Sequence, residues 1–393
     1  MRHDHVSSLK IGIDLFPLVP GVGRGGGFQR YAVELIGAMS RLDDAHRYVL
    51  FVNRRNADFF PSGDRFTQVM APLAPEREIW PLRLAWQHLL LPRQARRLGL
   101  DVLHSPFDTA PVWLPCPSVV TVMDLISDVF YPAHFPGDVS FIKARYLFHA
   151  KRHAARRANV VICASRATAT EVVRHYGVLN SAVRVVPLGV ADSVTGRLAP
   201  NQSRAPTPPR PYVLSVVSLS PHKNVARLLE AFRLAREQFH LPHELHLVGM
   251  PGTAAARVQR AITSAVEAGL PVRALGFVSE EKLRAEYEGA SLLAFVPLVE
   301  GFGLPPLEAM ALGIPVVASR VSSVAEVCGD AALLVDPEAA SDVARAIGSV
   351  LTDAALAERL RQAGRARALQ FTWEAAARAT REVYEAAAAE GRP

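Results

Sequence analysis

Glu300-Gly-Phe-Gly-Leu-Pro-Pro-Leu-Glu308 is the stretch that says most about this chain. The apolar run before it, Leu292–Val296, predicts a buried strand, and Pro305–Ala311 predicts a helix, because proline is tolerated in a first helical turn. Main-chain N–H groups near Gly301–Gly303 would then point at a ligand beside the helix N-terminus, where the helix dipole favours negative charge. The stretch therefore predicts a strand–turn–helix unit that suits a phosphate.

Two carboxylates frame this turn. We expect Glu300 to end the loop on the strand side. We expect Glu308, about one turn into the helix, to face the same crevice and to accept hydrogen bonds from sugar or ribose hydroxyls. An isolated acidic residue is more often a solvated surface charge. Here the glycines and the strand–turn–helix context favour the functional interpretation.

Short apolar strands alternate with helical patterns along the whole chain, which is typical of parallel sheets covered on both faces. Five prolines fall within the sixteen residues 196–211. Proline interrupts helices and the hydrogen bonds between strands, so the composition of this segment predicts a linker. We therefore expect an α/β protein of two Rossmann-like domains, 1–195 and 212–370, whose strand ends face a central cleft. The predicted strands are Leu9–Leu15, Tyr48–Val52, Val102–His104, Val119–Met123, Val160–Ala164, Val183–Val186, Tyr212–Val217, Leu245–Val248, Leu292–Phe295, Val316–Ala318 and Ala332–Val335.

The Glu-x7-Glu element resembles the signature of the retaining glycosyltransferases of family four, and the resemblance runs from the glycine-rich turn near residue 25 to Phe371-Thr372-Trp373. It implies the GT-B fold and transfer of a sugar from a nucleotide sugar with retention of anomeric configuration. It also implies a C-terminal helix within 371–393 that packs back on the N-terminal domain. The implied mechanism is front-face displacement, in which the departing phosphate helps to deprotonate the acceptor.

Ser218-Leu-Ser-Pro-His222-Lys223-Asn224 follows a predicted strand and precedes a helix. A lysine at this place is a compact, mobile charge that can stabilise a departing diphosphate, although a lone lysine is more often a surface residue. The family usually has an arginine five residues before this lysine, where this chain has Ser218. Phosphate charge would therefore fall to Lys223, to helix N-termini and to His222.

Gly21-Val-Gly23-Arg-Gly-Gly26 matches a dinucleotide-binding pattern, but its context argues against hydride transfer. Pro17 and Pro20 intervene after the first strand, and the second strand ends in Asn53 rather than an acid. In the family, a glycine-rich turn at this place lines the acceptor side, and a flexible surface loop is the alternative. The acceptor-side candidates here are Gly25, Gly26, Gly27 and Arg30.

The strand Val119–Met123 ends in Asp124 at the predicted cleft. A carboxylate there can orient an acceptor or take its proton, and a capping aspartate is an equally good interpretation. The family commonly has His-Asp here, where this chain has Met123, so His104 at the end of the preceding strand is a candidate substitute. Glu326 resembles a family position near the donor, and its alternative is a helix-start glutamate.

The net charge of +7 lies in the first half, where residues 1–195 hold 23 Lys and Arg against 16 Asp and Glu. Between Val139 and Thr170 there are seven basic residues and no acid. This asymmetry indicates an anionic partner, such as a membrane surface, a lipid pyrophosphate or nucleic acid, or else a solvated basic face. The stretch Trp80–Leu100 either lies on a membrane interface or, as we favour, packs on its own sheet.

Several classes of protein are excluded by composition and spacing. No uncharged apolar run reaches about 18 residues, so no membrane span is expected, and the polar start shows no secretory signal. Three distant cysteines fit a reducing cytoplasm rather than a disulfide framework or a zinc site. No Asp-x-Asp pair occurs, so we expect a metal-independent reaction whose only cofactor-like molecule is the nucleotide-sugar co-substrate.

The sequence thus predicts a retaining glycosyltransferase, cytoplasmic or peripheral on the inner face of the plasma membrane. The first candidate donor is GDP-mannose and the second UDP-glucose, and the acceptor is a saccharide or a lipid-pyrophosphate-linked saccharide, with no nucleic acid expected. Alternatives are a nucleotide-sugar epimerase of the same fold, or a non-catalytic sugar- or nucleic-acid-binding module. The predicted catalytic residues are Glu300, Lys223 and Asp124, and the predicted donor site comprises Ser218, His222, Lys223, Gly301, Phe302, Gly303, Leu304, Glu308 and Glu326.

Overall fold

A computed structural model describes residues 8–19, 26–72, 80–130, 141–191, 210–249 and 255–391. The chain divides into two compact units, of which the first comprises Met1–Asp128, Gly137–Gly189 and Trp373–Pro393 and the second Val129–Pro136 and Val190–Thr372. The linker predicted at 196–211 lies outside the described residues, apart from Arg210 and Pro211.

The first unit is built on a seven-stranded parallel sheet in the order β3-β2-β1-β4-β5-β6-β7. Its central strands are apolar and buried on both faces, as parallel sheets covered by helices require. The strands are β1 (Lys10–Asp14), β2 (Arg47–Val52), β3 (Phe66–Met70), β4 (Val102–Ser105), β5 (Ser118–Val122), β6 (Val160–Cys163) and β7 (Val183–Val185).

Helices connect these strands. A stretch with a π-helical turn in its middle packs Trp86, Leu91 and Ala95 into an apolar cluster with Phe51 and Leu103 of the sheet. The described helices of this unit are Gly26–Arg41, Trp80–Ala85 with the π turn Trp86–Leu90, Leu91–Leu98, Ile126–Val129, Phe141–Arg157, Arg166–Glu171 with the π turn Val172–Tyr176, and Trp373–Glu390.

The last helix, Trp373–Glu390, belongs to the first unit although it comes at the end of the chain. It packs along Gly26–Arg41, with the rings of Tyr31 and Trp373 centred 6.2 Å apart and Arg41 paired with Glu374 at 3.1 Å. Its small alanine side chains allow close approach to the neighbouring helix and strands.

The second unit is built on a six-stranded parallel sheet in the order β10-β9-β8-β11-β12-β13. The strands are β8 (Tyr212–Val216), β9 (Glu244–Val248), β10 (Val272–Gly276), β11 (Leu292–Phe295), β12 (Val316–Ser319) and β13 (Leu333–Val335). The described helices are Val225–Phe239, Ala255–Glu267, Glu280–Gly289, Leu304–Ala311, Ser322–Cys328, Ala340–Thr352 and Ala354–Ala368.

Two parallel α/β sheets confirm the predicted fold class, and each predicted strand is found within one or two residues of its predicted ends. The sequence missed β3 and β10. Both are edge strands, and their partly exposed residues lack the continuous apolar run that marks the central strands.

Candidate active site

The second sheet reverses its order between β8 and β11, which are neighbours although β9 and β10 separate them in the sequence. In open α/β sheets, a crevice forms outside the carboxyl ends of the two strands at such a reversal. Lys223 lies in the segment that follows β8, and Glu300 lies in the segment that follows β11. The fold therefore brings the two predicted catalytic residues of this unit to one point.

Lys223 and Glu300 form a direct ion pair, with 2.5 Å between Nζ and Oε2. Their side chains are 15% and 16% exposed, so the pair lies in a recess that solvent still reaches. The ammonium group also lies 5.4 Å from the centre of the Phe295 ring, in the range of a cation–π contact. The Phe295 ring and the Glu300 carboxylate thus hold the ammonium group of Lys223 in place.

Main-chain contacts tie the two loops together around this pair. The N–H of Leu298 donates to the carbonyl of His222 at 2.8 Å. Asn224, in the left-handed region with φ 59°, donates its side-chain amide to the carbonyls of Val296 at 3.1 Å and Pro337 at 2.8 Å. Because three separate segments meet at Asn224, the position of Lys223 is set by the framework.

The carbonyl of Glu300 is held from the other side, by the segment that follows β12. The hydroxyls of Ser322 and Ser323 both donate to it, at 2.6 and 2.8 Å. Three consecutive segments at one sheet edge therefore fix the backbone from which the Glu300 carboxylate projects.

The helix Leu304–Ala311 begins directly after Gly303, which has φ 109° and therefore favours glycine. The first N–H groups of a helix have no partner within it, but Pro305 and Pro306 carry no N–H. The N–H groups at this helix end therefore belong to the main chain of the turn from Gly301 to Leu304, before the two prolines. Phe302 is buried and packs edge-on against Phe371 at 5.9 Å, which anchors the turn.

Glu308 lies in this helix with only 2% of its surface exposed, and the hydroxyl of the fully buried Tyr287 donates to its Oε2 at 2.8 Å. A buried carboxylate that is hydrogen-bonded in this way has a fixed orientation. That Glu308 accepts hydrogen bonds from sugar or ribose hydroxyls stays a prediction.

Three further candidates lie around the same edge. Burial, and then the charge of Lys223, lower the pKa of His222 to about 3, so this ring is neutral and adds no positive charge for a phosphate. The expectation that His222 shares phosphate charge is thereby corrected, and its place in the predicted donor site stays a prediction. The hydroxyl of Ser218 donates to Ser220 at 3.2 Å. Glu326 is half-buried in the helix Ser322–Cys328, and its carbonyl accepts from Arg367 at 2.8 Å.

In the first unit the order reverses between β1 and β4. The helix Gly26–Arg41 starts beside this point, with Phe28 against Phe107 at 5.9 Å, and it carries the exposed Gly27 and the half-buried Arg30. Gly25 lies outside the described residues. Asp124 follows β5 and accepts the N–H of Ile126 at 2.9 Å, which is the contact of a capping aspartate.

His104 does not face the surface at which an acceptor would bind. Its ring is fully buried, with Nδ1 2.8 Å from the hydroxyl of Tyr384 and Nε2 2.8 Å from that of Thr121. Burial lowers its pKa to about 3. The suggestion that His104 replaces the family histidine is therefore wrong, because both ring nitrogens are engaged in the core.

The basic run in the first half is less uniform than its sequence suggests. Lys151 is mostly buried and pairs with Asp108 at 3.3 Å and Asp128 at 3.7 Å, so it belongs to an internal charge cluster. Trp86 is also internal, since its indole N–H donates to Asp14 at 2.9 Å. The stretch Trp80–Leu100 thus packs on its own sheet, as we favoured.

Sequence reasoning missed the residues that position the site. Asn224 was read only as the residue before a helix, and the role of Tyr287 depends on a contact with a helix that follows in the sequence. No sequence signal pointed to Ser322 and Ser323, whose hydroxyls donate to the carbonyl of Glu300 and do not cap their own helix.

Two models of known families match this chain. The model described as "Glycosyltransferase Family 4" matches residues 25–194, and the one described as "Glycosyl transferases group 1" matches residues 200–367. Together they span both units. The chain belongs to glycosyltransferase family 4. The resemblance inferred from the Glu-x7-Glu element is thereby confirmed.

This family 4 glycosyltransferase is 26% identical over 371 residues to O-antigen chain mannosyltransferase B of Escherichia coli, covering 91% of this chain and 96% of that protein. Sucrose-phosphate synthase of Thermosynechococcus elongatus shares its fold with a TM-score of 0.72 and 21% identity, covering 98% and 100% of the chains. HepE of Anabaena, solved with UDP and glucose, has a TM-score of 0.67 and 19% identity, covering 96% and 100%. The predicted GT-B fold is confirmed.

None of the described helices is both long and apolar enough to cross a bilayer. Within the same part of the chain, no three His, Cys, Asp or Glu residues are grouped so that they could hold a metal ion.

Proposed function

We propose that this glycosyltransferase moves a hexose from a nucleotide sugar to a saccharide acceptor with retention of anomeric configuration. The observation that carries the proposal is the Lys223–Glu300 pair at the order reversal of the second sheet, beside the start of the helix Leu304–Ala311. An ammonium group and main-chain amides at one point suit a diphosphate.

In this mechanism the donor diphosphate displaces Glu300 as the partner of Lys223. The acceptor hydroxyl oxygen forms a bond to the anomeric carbon as the bond from that carbon to the diphosphate oxygen breaks. The hydroxyl proton passes to the departing diphosphate. Lys223 and the amides from Gly301 to Leu304 stabilise the negative charge that develops on the leaving group, so no metal ion is assigned a role.

Glu300, once released from Lys223, is placed to accept hydrogen bonds from hydroxyls of the donor sugar. Glu308 would take the ribose hydroxyls, its carboxylate oriented by Tyr287. Ser218, Phe302 and Glu326 line the same edge and are proposed as further donor contacts. In these assignments Lys223 binds the diphosphate, Glu300 binds the donor sugar and Glu308 binds the ribose.

The proposed donor is GDP-mannose, because the Escherichia coli relative that matches nearly the whole chain is a mannosyltransferase. UDP-glucose is the second candidate, since HepE was solved with UDP and glucose. The proposed acceptor is a growing surface polysaccharide, free or on a lipid pyrophosphate, bound by the first unit with Arg30 and Asp124 as candidates. The proposed location is the cytoplasm, because the three free cysteines fit a reducing compartment.

The test is a transfer assay with a panel of nucleotide sugars and mannoside acceptors, in which the anomeric configuration of the product is read by proton NMR. The proposal expects one GDP- or UDP-hexose to be consumed in an acceptor-dependent way, with an α-linked product from an α-linked donor. Conversion of the nucleotide sugar into an isomer without any acceptor would instead support an epimerase.

A further inference from the structure

Three charged side chains meet inside the first unit, where the segments after β4 and β5 approach the helix Phe141–Arg157. Nζ of Lys151 lies 3.3 Å from Oδ2 of Asp108 and 3.7 Å from Oδ2 of Asp128. The side chains of Lys151, Asp108 and Asp128 are 16%, 8% and 5% exposed. We call these three residues the Asp108 cluster. Charged side chains are seldom buried in this way unless they are paired, and none of the three has a part in the mechanism proposed above.

Asp108 ties the loop after β4 to the end of β5. Its N–H donates to the carbonyl of Thr121 at 3.0 Å, and its Oδ1 accepts the N–H of Met123 at 3.3 Å. Its backbone is left-handed, with φ 43°, a conformation that Asp and Asn tolerate better than most residues. Asp124, the carboxylate proposed for the acceptor, comes directly after Met123. Asp108 therefore holds the backbone from which Asp124 projects.

Lys151 supports the segment on the other side of Asp124. Its ammonium group donates to Oγ of Ser127 at 3.0 Å. Asp128, which also pairs with Lys151, accepts the hydroxyl hydrogen of Tyr176 at 2.6 Å through its Oδ2. The Asp108 cluster thus holds the main chain both before and after Asp124.

The cluster also borders the helix that carries Arg30. Phe107 precedes Asp108, and its ring lies 5.9 Å from that of Phe28 in the first turn of that helix. Two of the acceptor-side candidates, Arg30 and Asp124, are therefore connected to Asp108 by short stretches of the described chain.

The charge of Asp108 changes at a mildly acidic pH. Burial raises the pKa of this carboxyl to about 6, against the lowering effect of Lys151. Burial lowers the pKa of Lys151, but the nearby aspartates outweigh burial and raise it overall, so the lysine stays charged. A fall in pH through about 6 therefore removes the Asp108–Lys151 ion pair. The titratable groups around Asp108 are those of Lys151, Asp124, Asp128, Cys163 and Tyr176.

We propose that Asp108 and Lys151 are positioning residues of the acceptor site, which hold Asp124 for the acceptor hydroxyls and release it when their ion pair is lost in acid. The inference deepens the proposed function and rests on its assignment of Asp124 to the acceptor. Protonation of Asp108 does not itself unfold the chain, because burial favours the uncharged form of a carboxyl group. Acid thus acts through Asp108 on acceptor binding and not on the fold.

The first test is transfer to a soluble mannoside at neutral pH, with donor and acceptor varied separately. Asp108→Asn should raise KM for the acceptor about tenfold, because Asp124 loses its precise position. KM for the donor and the affinity for GDP should stay unchanged. Asparagine suits the left-handed backbone and can still accept the N–H of Met123, so the variant removes only the charge that Lys151 binds.

The matched control is Asp44→Asn. Asp44 is likewise buried in the first unit and pairs with Arg65 at 3.0 Å, but it precedes β2 and so lies at the opposite edge of the parallel sheet. This variant should keep the acceptor KM of the wild type. In the wild type, kcat/KM for the acceptor should fall as the pH drops through about 6, and Asp108→Asn should lack this fall.

A spectroscopic test needs no transfer. The chain has six methionines, so isotopic labelling of methionine nitrogen gives few NMR signals, and Met123→Leu identifies that of Met123. Because the N–H of Met123 donates to Asp108, its signal should shift with a midpoint at about pH 6 in the wild type and not in Asp108→Asn. In Lys151→Met the midpoint should lie at higher pH, since the lysine charge lowers the pKa of Asp108.

The outcomes separate this inference from the proposed function. Active Asp108→Asn with the acceptor KM and pH profile of the wild type would overturn the inference and leave the transferase standing. A Met123 signal that does not titrate would also overturn it. A wild type that transfers no sugar, but whose Met123 signal titrates as described, would remove the proposed function and leave Asp108 and Lys151 as a pH-dependent support of Asp124.

Discussion

The ammonium group of Lys223 and the carboxylate of Glu300 are 2.5 Å apart, at the ends of segments that follow neighbouring strands of the second sheet. A half-buried ion pair of this kind gains little net stability, because desolvation offsets much of the attraction. In the proposed function, the pair holds in place the lysine that would bind the donor diphosphate, and the diphosphate would displace the carboxylate.

Lys223→Ala should lower kcat about a hundred- to a thousandfold, because the leaving diphosphate loses one preorganised positive donor. Steady-state transfer kinetics with the identified donor measure the effect. Lys282→Ala is the matched control, since the exposed Lys282 lies in the same unit and pairs with the carboxylate of Glu286 at 2.9 Å. An equal loss of kcat in Lys282→Ala would mean that the loss does not come from the site around Lys223.

Glu300→Gln should separate binding from chemistry. Removing this negative charge frees Lys223 and relieves repulsion of a diphosphate, so GDP should bind about fivefold more tightly, corresponding to about 1 kcal/mol. Transfer should fall about a hundredfold, because the sugar loses its carboxylate partner. Calorimetric titration measures the GDP affinity, and steady-state kinetics measure the transfer rate. Glu338→Gln serves as the control, since Glu338 is exposed. Weaker GDP binding in Glu300→Gln would contradict the displacement.

Tyr287→Phe should raise KM for the donor several-fold with little change in kcat. The hydroxyl of Tyr287 is the group that orients Glu308, and its loss should also lower the free energy of unfolding by about 1 kcal/mol. Tyr212→Phe removes a comparable hydrogen bond, to the carbonyl of Glu286 at 2.9 Å. It should cost similar stability and leave KM unchanged; a KM shift in both variants would argue against the role of Tyr287.

His104 should make the chain less stable at mildly acidic pH. Burial lowers its pKa from the ordinary 6.5 to about 3, so the unfolded chain takes up a proton at a pH where the folded chain does not. Stability from this group is complete above pH 6.5 and is lost as the pH falls. Between about pH 6.5 and 5 the loss should reach roughly 2 kcal/mol.

Urea unfolding at several pH values of the wild type and of His104→Gln measures this difference. The variant should show a shallower decline with acid, and it should keep transfer activity at neutral pH because His104 touches core residues only. Parallel pH profiles would show that His104 is not responsible.

Most of the fold followed from sequence because central strands such as Leu292–Phe295 are apolar throughout, and the period and length of such runs are visible in one dimension. The edge strand Val272–Gly276 carries Arg273 and other exposed residues, so its sequence resembles that of a loop. The Glu300 and Glu308 spacing was likewise visible. The contact between Lys223 and Glu300 was not, because it depends on the order in which strands pair.

His104 shows the opposite failure. Its place at the end of β4 suggested an acceptor-side role in place of the family histidine, but alternation along a short buried strand does not say what lies over each face. Helix Trp373–Glu390 brings Tyr384 to that ring from the far end of the chain, and this contact turns the histidine into a core residue.

The central claim is that a donor diphosphate binds at Lys223 and at the amides before the helix Leu304–Ala311. A crystal structure of the full chain with GDP tests it most directly. We predict diphosphate oxygens within hydrogen-bond distance of Lys223 Nζ and of a main-chain N–H between Gly301 and Leu304, with the Glu300 carboxylate moved away from the lysine. GDP bound elsewhere, with the Lys223–Glu300 pair intact, would contradict the account.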